Sequence, residues 1–276
     1  MDYDFFDYKY NITGYDGRDF NGIMHVVYIL ICLILIPLLI RHLKGKGQKK
    51  ITKIMQVTAI ALIIEEIVKI SWESYWDIKT GQGFNAGGIL PLETCSLFIY
   101  TLTVAAFGKG KAKDCALAWM SSIGVLGGVS YILFTNVLKW YPFFTYGAFH
   151  SMIFHFLMVF IGLLIPFSGY HRFSLEDINN GFMPQLLMAA VVIPLDYRYN
   201  WDYMLLHHAG GIPLVEEVAE RFAMHGVPFM TTLMVLVLYY LMGALLTLNS
   251  IGIQKSDLSE LSNREAKREK TAWING

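Results

Sequence analysis

The chain has 276 residues, of which 55% are hydrophobic and 16% charged, and its formal net charge is zero. Soluble domains carry about 25% charged residues, so the composition excludes an ordinary soluble protein, and the balanced charge gives no indication of a nucleic-acid partner. The apolar residues are gathered into long blocks, and a helix of about 20 apolar residues spans the hydrocarbon core of a bilayer. The sequence therefore predicts an all-α fold, a polytopic membrane bundle.

Seven apolar segments predict seven transmembrane helices. They cover residues 22–42, 51–71, 89–107, 114–135, 145–166, 182–196 and 227–249. The sixth is the weakest, because it is short and enclosed by Pro184 and Pro194, and a broken, tilted or only partly spanning helix is an alternative there. The rest of the chain is predicted to form an extracytoplasmic N-terminal segment, an outer loop and a cytoplasmic polar tail. These occupy residues 1–21, 197–226 and 251–276 around a transmembrane domain at 22–250.

The distribution of Lys and Arg between the segments predicts their orientation. Fifteen lie in the first, third and fifth loops and the C-terminal tail, against six on the other side. Because basic residues concentrate in cytoplasmic loops, the N-terminus is predicted outside and the C-terminus inside. The sixth segment must span for this alternation to hold, since its deletion would place the basic tail outside.

The second segment contains three ionisable residues, Glu65, Glu66 and Lys69. Charged groups inside a membrane are costly unless they are paired or face a polar cavity. Lys69 is four residues from Glu65 and three from Glu66, so it could pair with either carboxylate along the helix. The cluster is interpreted either as a polar clamp between helices or as part of a functional site.

The third segment begins with GGILPLETCSLF, in which Pro91 suits the first turn of a helix. This register predicts Glu93 in the first turn and Cys95 in the second. The positive end of the helix dipole stabilises a thiolate, which would make Cys95 nucleophilic. The alternative is that Cys95 is a small apolar packing residue.

The fifth segment begins with FFTYGAFHSMIFHF, which places two histidines, His150 and His155, on different helix faces. With a rise of 1.5 Å per residue, Cys95 and His150 are both predicted about 8–9 Å below the same membrane boundary, whereas His155 is about 7–8 Å deeper. This equal depth permits a thiol–imidazole pair between Cys95 and His150. The alternative for each histidine is a hydrogen-bonding clamp between helices.

Four short sequence motifs of the chain resemble those of a known family. They are EEIVKISW from Glu65 to Trp72, LPLETC from Leu90 to Cys95, FFTYGAFH from Phe143 to His150, and NWDYMLL from Asn200. With these strings the chain resembles the YwaF-type integral membrane proteins and transmembrane protein 164, an acyltransferase of ether phospholipids. Two positions depart from the family pattern. Glu93 stands where the family usually has His, and Asp202 stands where it has Asn.

The resemblance implies acyl transfer from phospholipid to lysophospholipid through a Cys–His pair, with Cys95 and His150 at the matching positions. The residues expected to support the site or bind substrate are Glu65, Glu66, Lys69, Glu93, Asn200, Asp202 and Tyr203. No metal or other cofactor is expected, and the expected location is a bacterial plasma membrane. Two alternatives stay open. The same residues could serve a lipid esterase, or the charged groups could line the path of a non-catalytic transporter or receptor.

Overall fold

The computed structural model describes residues 3–208, 217, 220–221 and 229–275, and for 257–258 and 260–275 it describes only the backbone. All regular secondary structure in these residues is helical, as predicted. The α-helices are α1 Ile23–Leu43, α2 Gln48–Lys79, α3 Ala86–Ile89, α4 Leu97–Phe107, α5 Gly110–Trp119, α6 Val125–Leu133, α7 Tyr146–Phe167, α8 Glu176–Tyr199 and α9 Met230–Asn275. A π-helical turn, Met120–Gly124, joins α5 to α6, and 3-10 turns lie at Asn136–Lys139 and Tyr203–Leu205.

Five helical stretches in the described residues are long and apolar enough to cross a membrane. They are Ile23–Leu43, Gly110–Lys139, Tyr146–Phe167, Glu176–Tyr199 and Met230–Ser256. The second and third predicted segments also contain helices. Helix α2 is continuous, but charged residues lie within its apolar stretch, and α4 has only 11 residues. At 1.5 Å per residue, α4 is about 16 Å long, roughly half of the hydrocarbon thickness. The structure thus supports a multi-span membrane bundle, whereas the count of seven stays a prediction.

The sixth predicted segment forms a longer helix than the sequence indicated. Helix α8 has 24 residues and continues through Pro184 and Pro194 without a break. Proline removes a backbone hydrogen bond, but such a loss is tolerated in membrane helices where neighbouring helices compensate. Helix α8 packs along α5 and also contacts α9, so the alternative of a broken helix is wrong for this segment.

The start of the third segment is the clearest departure from the prediction. Residues 90–96 form turns, and α4 begins only at Leu97, so Cys95 precedes the helix instead of lying in its second turn. Two local features favour this break. Pro91 has no N–H to donate, and the N–H of Leu92 bonds to the carbonyl of Leu90 at 2.8 Å. Cys95 nevertheless lies close to the N-terminus of an 11-residue helix.

The N-terminal residues 3–20, here called the cap segment, pack against the bundle where α2 ends and α7 begins. Trp72 Nε1 donates a hydrogen bond to the carbonyl of Phe6 at 2.8 Å. The N–H of Tyr146 bonds to the carbonyl of Phe5 at 2.7 Å. Tyr8, only 3% exposed, contacts the Trp72 ring edge-on at 5.2 Å between centroids. The cap segment therefore forms an ordered part of this end of the bundle.

Candidate functional site

A cavity of about 180 Å³ lies between α2, the non-helical segment 90–96 and α7. Its ionisable, thiol and hydroxyl side chains come from these elements and from the 3-10 region before α7. They are Glu66, Lys69, Glu73, Glu93, Cys95, Ser96, Tyr141, Tyr146, His150, Ser151 and His155. Irregular backbone at membrane depth is tolerated where it is enclosed by protein or lines a polar cavity, and segment 90–96 satisfies this condition.

His150 is held by a carboxylate from the neighbouring helix. Its Nδ1 lies in contact with Glu65 Oε2, and the hydroxyl of Tyr146 donates to the other Glu65 oxygen at 2.9 Å. The His150 side chain is only 12% exposed. Among the described residues, no hydrogen bond engages His150 Nε2. A carboxylate on one ring nitrogen fixes the orientation of an imidazole and leaves the other nitrogen available for proton transfer.

Lys69 pairs with two other carboxylates of α2. Its ammonium lies 3.2 Å from Glu66 Oε1 and 3.4 Å from Glu73 Oε2, and it also donates to the carbonyl of Ile89 at 3.4 Å. The sequence left open whether Glu65 or Glu66 would pair with Lys69. Within the described residues, Lys69 forms an ion pair with Glu66, whereas Glu65 contacts His150. Sequence reasoning missed Glu73, although its spacing of four residues from Lys69 is the signal for such a pair.

Cys95 is half-buried and lines the cavity together with His150. The other two cysteines lie elsewhere. Cys32 is in the packed core with an exposed fraction of 3%, and Cys115 lines an apolar groove between α4, α5 and α8. Cys95 is therefore the cysteine of this chain that shares a cavity with histidine and carboxylate side chains.

A network of hydrogen bonds fixes the position of segment 90–96. The Glu93 carboxylate accepts the N–H of Met204 at 3.1 Å. Thr94 Oγ1 lies 2.9 Å from the hydroxyl of Tyr239 on α9 and accepts from Gln185 Nε2 of α8 at 3.2 Å. The two residues that precede Cys95 are thus attached to the 3-10 turn after α8 and to two helices. This attachment positions Cys95 without requiring it to be helical.

His155 also lines the cavity, although the helix rise placed it deeper than His150. Its ring stacks on Tyr131 with 3.5 Å between centroids and 7° between planes. His155 Nδ1 lies 2.7 Å from the carbonyl of Ser151, which makes Nδ1 the donor nitrogen. His155 has no carboxylate partner among the described residues, so His150 is the histidine with the geometry of an oriented base.

The other predicted supporting residues, Asn200, Asp202 and Tyr203, do not line the cavity. Asn200 ends α8 in a left-handed conformation with φ of 59°, and Asp202 Oδ1 accepts the N–H of His207 at 2.9 Å. The hydroxyl of Tyr203 donates to the carbonyl of Ala86 at 2.5 Å, and burial raises the pKa of this phenol. The Tyr203 contact thus attaches the loop after α8 to α3. In the described residues, no three His, Cys, Asp or Glu side chains are grouped as metal ligands.

Comparison with known proteins agrees with the family resemblance of the four sequence motifs. A family model described as the TMEM164 family matches residues 20–246, which include all the residues of the cavity. Neither the comparison with curated proteins nor the comparison with solved structures found a match. The family match covers most of the chain, and the apolar helices agree with it. The chain therefore belongs to the TMEM164 family, a family of membrane proteins.

Proposed function

We propose that this protein moves a fatty acyl chain from a phospholipid to a lysophospholipid through a thioester on Cys95. The observation that carries the proposal is the shared cavity of Cys95 and His150, in which Glu65 holds the imidazole by one nitrogen. A nucleophile, a base and a third group that orients the base are the components of nucleophilic acyl transfer.

The first half-reaction forms the thioester. The Cys95 sulfur attacks the ester carbonyl of the donor lipid while its proton moves to His150 Nε2. The ester C–O bond then breaks, and the departing lipid oxygen takes the proton from His150. In the second half-reaction His150 removes the proton from a lysophospholipid hydroxyl, whose oxygen attacks the thioester. The C–S bond breaks, the sulfur regains a proton from His150, and Glu65 stabilises the imidazolium in both steps.

The charges of the cavity set conditions on this reaction. Three carboxylates, Glu66, Glu73 and Glu93, line it beside one ammonium, that of Lys69. Because negative charge nearby disfavours a free thiolate, proton removal by His150 must accompany the attack of Cys95. The same carboxylates repel a phosphate, so the headgroup of the substrate is expected at the mouth of the cavity with only the ester inside.

Mass spectrometry of the purified protein incubated with a diacyl phospholipid tests the proposal. The expected result is one added acyl mass on Cys95, which disappears when lysophospholipid is supplied. Cys95→Ala should abolish both the adduct and the transfer, whereas Cys115→Ala, a matched loss of a thiol outside the cavity, should retain both. Full transfer by Cys95→Ala would overturn the proposal.

Two alternatives give different outcomes in the same assays. An esterase would release free fatty acid from the phospholipid at the same rate with and without lysophospholipid. A transporter is favoured by the ion-paired group of Glu66, Lys69 and Glu73 in the cavity. It would keep its uptake activity in Cys95→Ala and lose it when Lys69 is replaced.

The proposed topology has seven spans in a bacterial plasma membrane, with the N-terminus outside and Cys95 near the outer boundary. It rests on the distribution of basic residues and on helices at all seven predicted positions. A reporter inserted at residues 108–113 should be cytoplasmic, and one inserted at 209–216 should be external. A C-terminal tail that protease removes from intact cells would contradict this orientation.

A further inference from the structure

A continuous series of hydrogen bonds runs through the bundle from α5 to the 3-10 turn after α8. Trp119 Nε1 lies 3.0 Å from Gln185 Oε1, and Gln185 Nε2 lies 3.2 Å from Thr94 Oγ1. Thr94 Oγ1 lies 2.9 Å from the hydroxyl of Tyr239, which lies 3.3 Å from the carbonyl oxygen of Met204. These five residues are here called the buried polar network. They come from five separate parts of the fold: α5, α8, the segment before α4, α9 and the 3-10 turn.

The direction of every hydrogen bond in the buried polar network follows from its first member. An indole N–H can only donate, so Trp119 holds the Gln185 carbonyl oxygen towards itself and directs the Gln185 amide N–H towards Thr94. Tyr239 donates its hydrogen to the carbonyl of Met204. Thr94 therefore accepts from Gln185 and gives its own hydrogen to the Tyr239 oxygen. Because each group has one role and one partner on each side, the network defines a single position for Thr94.

The buried polar network lies where water cannot replace a lost partner. Trp119 and Gln185 have no exposed surface, and Thr94 is 9% exposed. A buried polar group without its partner is costly, so the members of the network hold one another in place. None of its side chains lines the cavity that contains Cys95 and His150. The network can therefore act on a reaction in that cavity through the position of the backbone, and not by contact with a lipid.

The segment before Cys95 depends on such an attachment. Residues 90–96 form turns, so they lack the regular hydrogen bonds of a helix. The side chains of Glu93 and Thr94 hold the segment instead, and both lead to Met204, whose N–H bonds to Glu93 and whose carbonyl ends the network. Met204 is fully buried and has a left-handed φ of 57°. A residue other than glycine keeps this strained conformation only where the surrounding contacts fix it, so the attachment is rigid.

From these observations we infer that Gln185 is a positioning residue for the proposed acyl transfer, and the inference rests on that proposed function. Gln185 holds the Thr94 hydroxyl in place, and Thr94 is the backbone neighbour of Cys95. The sulfur of Cys95 is thereby kept in line with His150 and the ester carbonyl. Displacement of a reacting atom by about 1 Å can reduce a rate by on the order of 100-fold, even when the altered residue lies far from the chemistry.

The rate at which the acyl adduct forms on Cys95 in a single turnover tests the inference, with folded, full-length protein and mass spectrometry. Gln185→Leu should lower this rate at saturating diacyl phospholipid by on the order of 10-fold to 100-fold. The lipid concentration that gives half of the maximal rate should not change, because Gln185 does not line the cavity.

The matched control is Gln254→Leu, at the other end of α7. Gln254 also joins a helix to a loop, since it accepts the N–H of Phe173 at 3.0 Å and donates to the carbonyl of His171 at 2.6 Å. Its replacement removes the same chemical group and a similar pair of hydrogen bonds far from Cys95. The folded control should therefore keep the wild-type rate of adduct formation.

Substitutions of Thr94 separate positioning from a general loss of stability. Thr94→Val removes the hydroxyl at nearly unchanged volume and should slow adduct formation as Gln185→Leu does. Thr94→Ser keeps the hydroxyl and should retain most of the rate. Combining Gln185→Leu with Thr94→Val should slow the reaction no further than the slower single variant, because both remove the same connection.

A wild-type rate in Gln185→Leu, or an equal loss in Gln254→Leu, would overturn the inference and leave the thioester on Cys95 unaffected. The absence of any adduct on wild-type Cys95 would instead remove the proposed function, and the positioning role with it. If Gln185→Leu does not fold, the comparison of Thr94→Val with Thr94→Ser decides. Equal rates in these two variants would show that the hydroxyl does not position Cys95.

Discussion

Helix α7 crosses two regions of the molecule that are built in opposite ways. Its first part, residues 146–155, lines a polar cavity with Tyr146, His150 and His155. Its later part, residues 158–165, lies in a tightly packed apolar core in which Met158, Ile161, Leu164 and Ile165 have no exposed surface. One helix therefore combines a region organised by charge with a region organised by close packing.

The two regions depend on different interactions. Apolar helices gain little from the hydrophobic effect inside a lipid bilayer, so the packed region depends on close contact between backbones and on small residues. A Cβ at Gly162 would lie 2.5 Å from the carbonyl of Met120, which shows how closely α7 approaches the π-helical turn. The polar region depends instead on the pairing and hydrogen bonding of its charged groups.

The largest effect on stability is expected from Lys69→Met in the polar region. Its removal leaves the carboxylates of Glu66 and Glu73 buried without their cation, a loss of about 3–5 kcal/mol in the free energy of unfolding. Denaturation in detergent measures this loss, and Lys79→Met at the end of α2 is the control. Combining Lys69→Met with Glu66→Gln and Glu73→Gln should recover most of the stability. Equal stability of the Lys69 and Lys79 variants would show that the cluster is solvated.

Glu65→Gln is expected to reduce acyl transfer about 100-fold while leaving the fold intact, because the amide cannot stabilise the imidazolium of His150. Tyr146→Phe removes only the hydroxyl contact to the same carboxylate and should have a smaller effect on the rate. The initial rate of transfer at saturating lipid is the measurement. If Glu65→Gln retains the full rate, Glu65 does not stabilise the base, and the comparison of His150→Ala with His155→Ala becomes decisive.

The sequence predicted the all-helical architecture because apolar blocks are a local signal, and five of the helical stretches in the described residues are long and apolar enough to cross a membrane. It could not predict the pairing of Glu65 with His150, since this contact joins two helices far apart in the chain, whereas Lys69 offered a partner on the same helix. The equal depth estimated for Cys95 and His150 agrees with their common cavity, but their catalytic roles stay a prediction. The predicted start of the third helix was wrong, since residues 90–96 form turns, and the contact of Glu93 with Met204 joins this segment to a loop far along the chain that no local pattern indicates.

Gly128→Ala tests the packed region at the contact between α6 and α7. A Cβ at Gly128 would lie 2.6 Å from Val159 Cγ2, and a β-branched side chain cannot easily move away. The expected cost is about 1–3 kcal/mol in the free energy of unfolding. The neighbouring Gly127→Ala is the control, since its Cβ would meet only the flexible end of Met158 at 3.4 Å. Equal stability of the two variants would show that packing here is loose.

The smallest effect is expected from Trp72→Phe, which tests whether the cap segment closes the polar region. Trp72 lines the cavity and donates its indole N–H to the carbonyl of Phe6, so the substitution keeps an aromatic ring and removes one hydrogen bond. Such a bond contributes about 0.5–1.5 kcal/mol to stability. A change of about 1 kcal/mol in the free energy of opening of the cap segment changes its open population about fivefold. Alkylation of Cys95 by a water-soluble maleimide should accelerate by that factor.

Trp140→Phe is the matched control, because its side chain is 63% exposed and does not line the cavity. It should leave the alkylation rate unchanged. If both variants react at the wild-type rate, the reagent reaches Cys95 by a path that does not pass the cap segment. If Trp72→Phe alone reacts faster, the polar region is closed from water by the aromatic contacts of the cap segment. The charged cavity would then be protected by a segment for which the sequence predicted only an extracytoplasmic location.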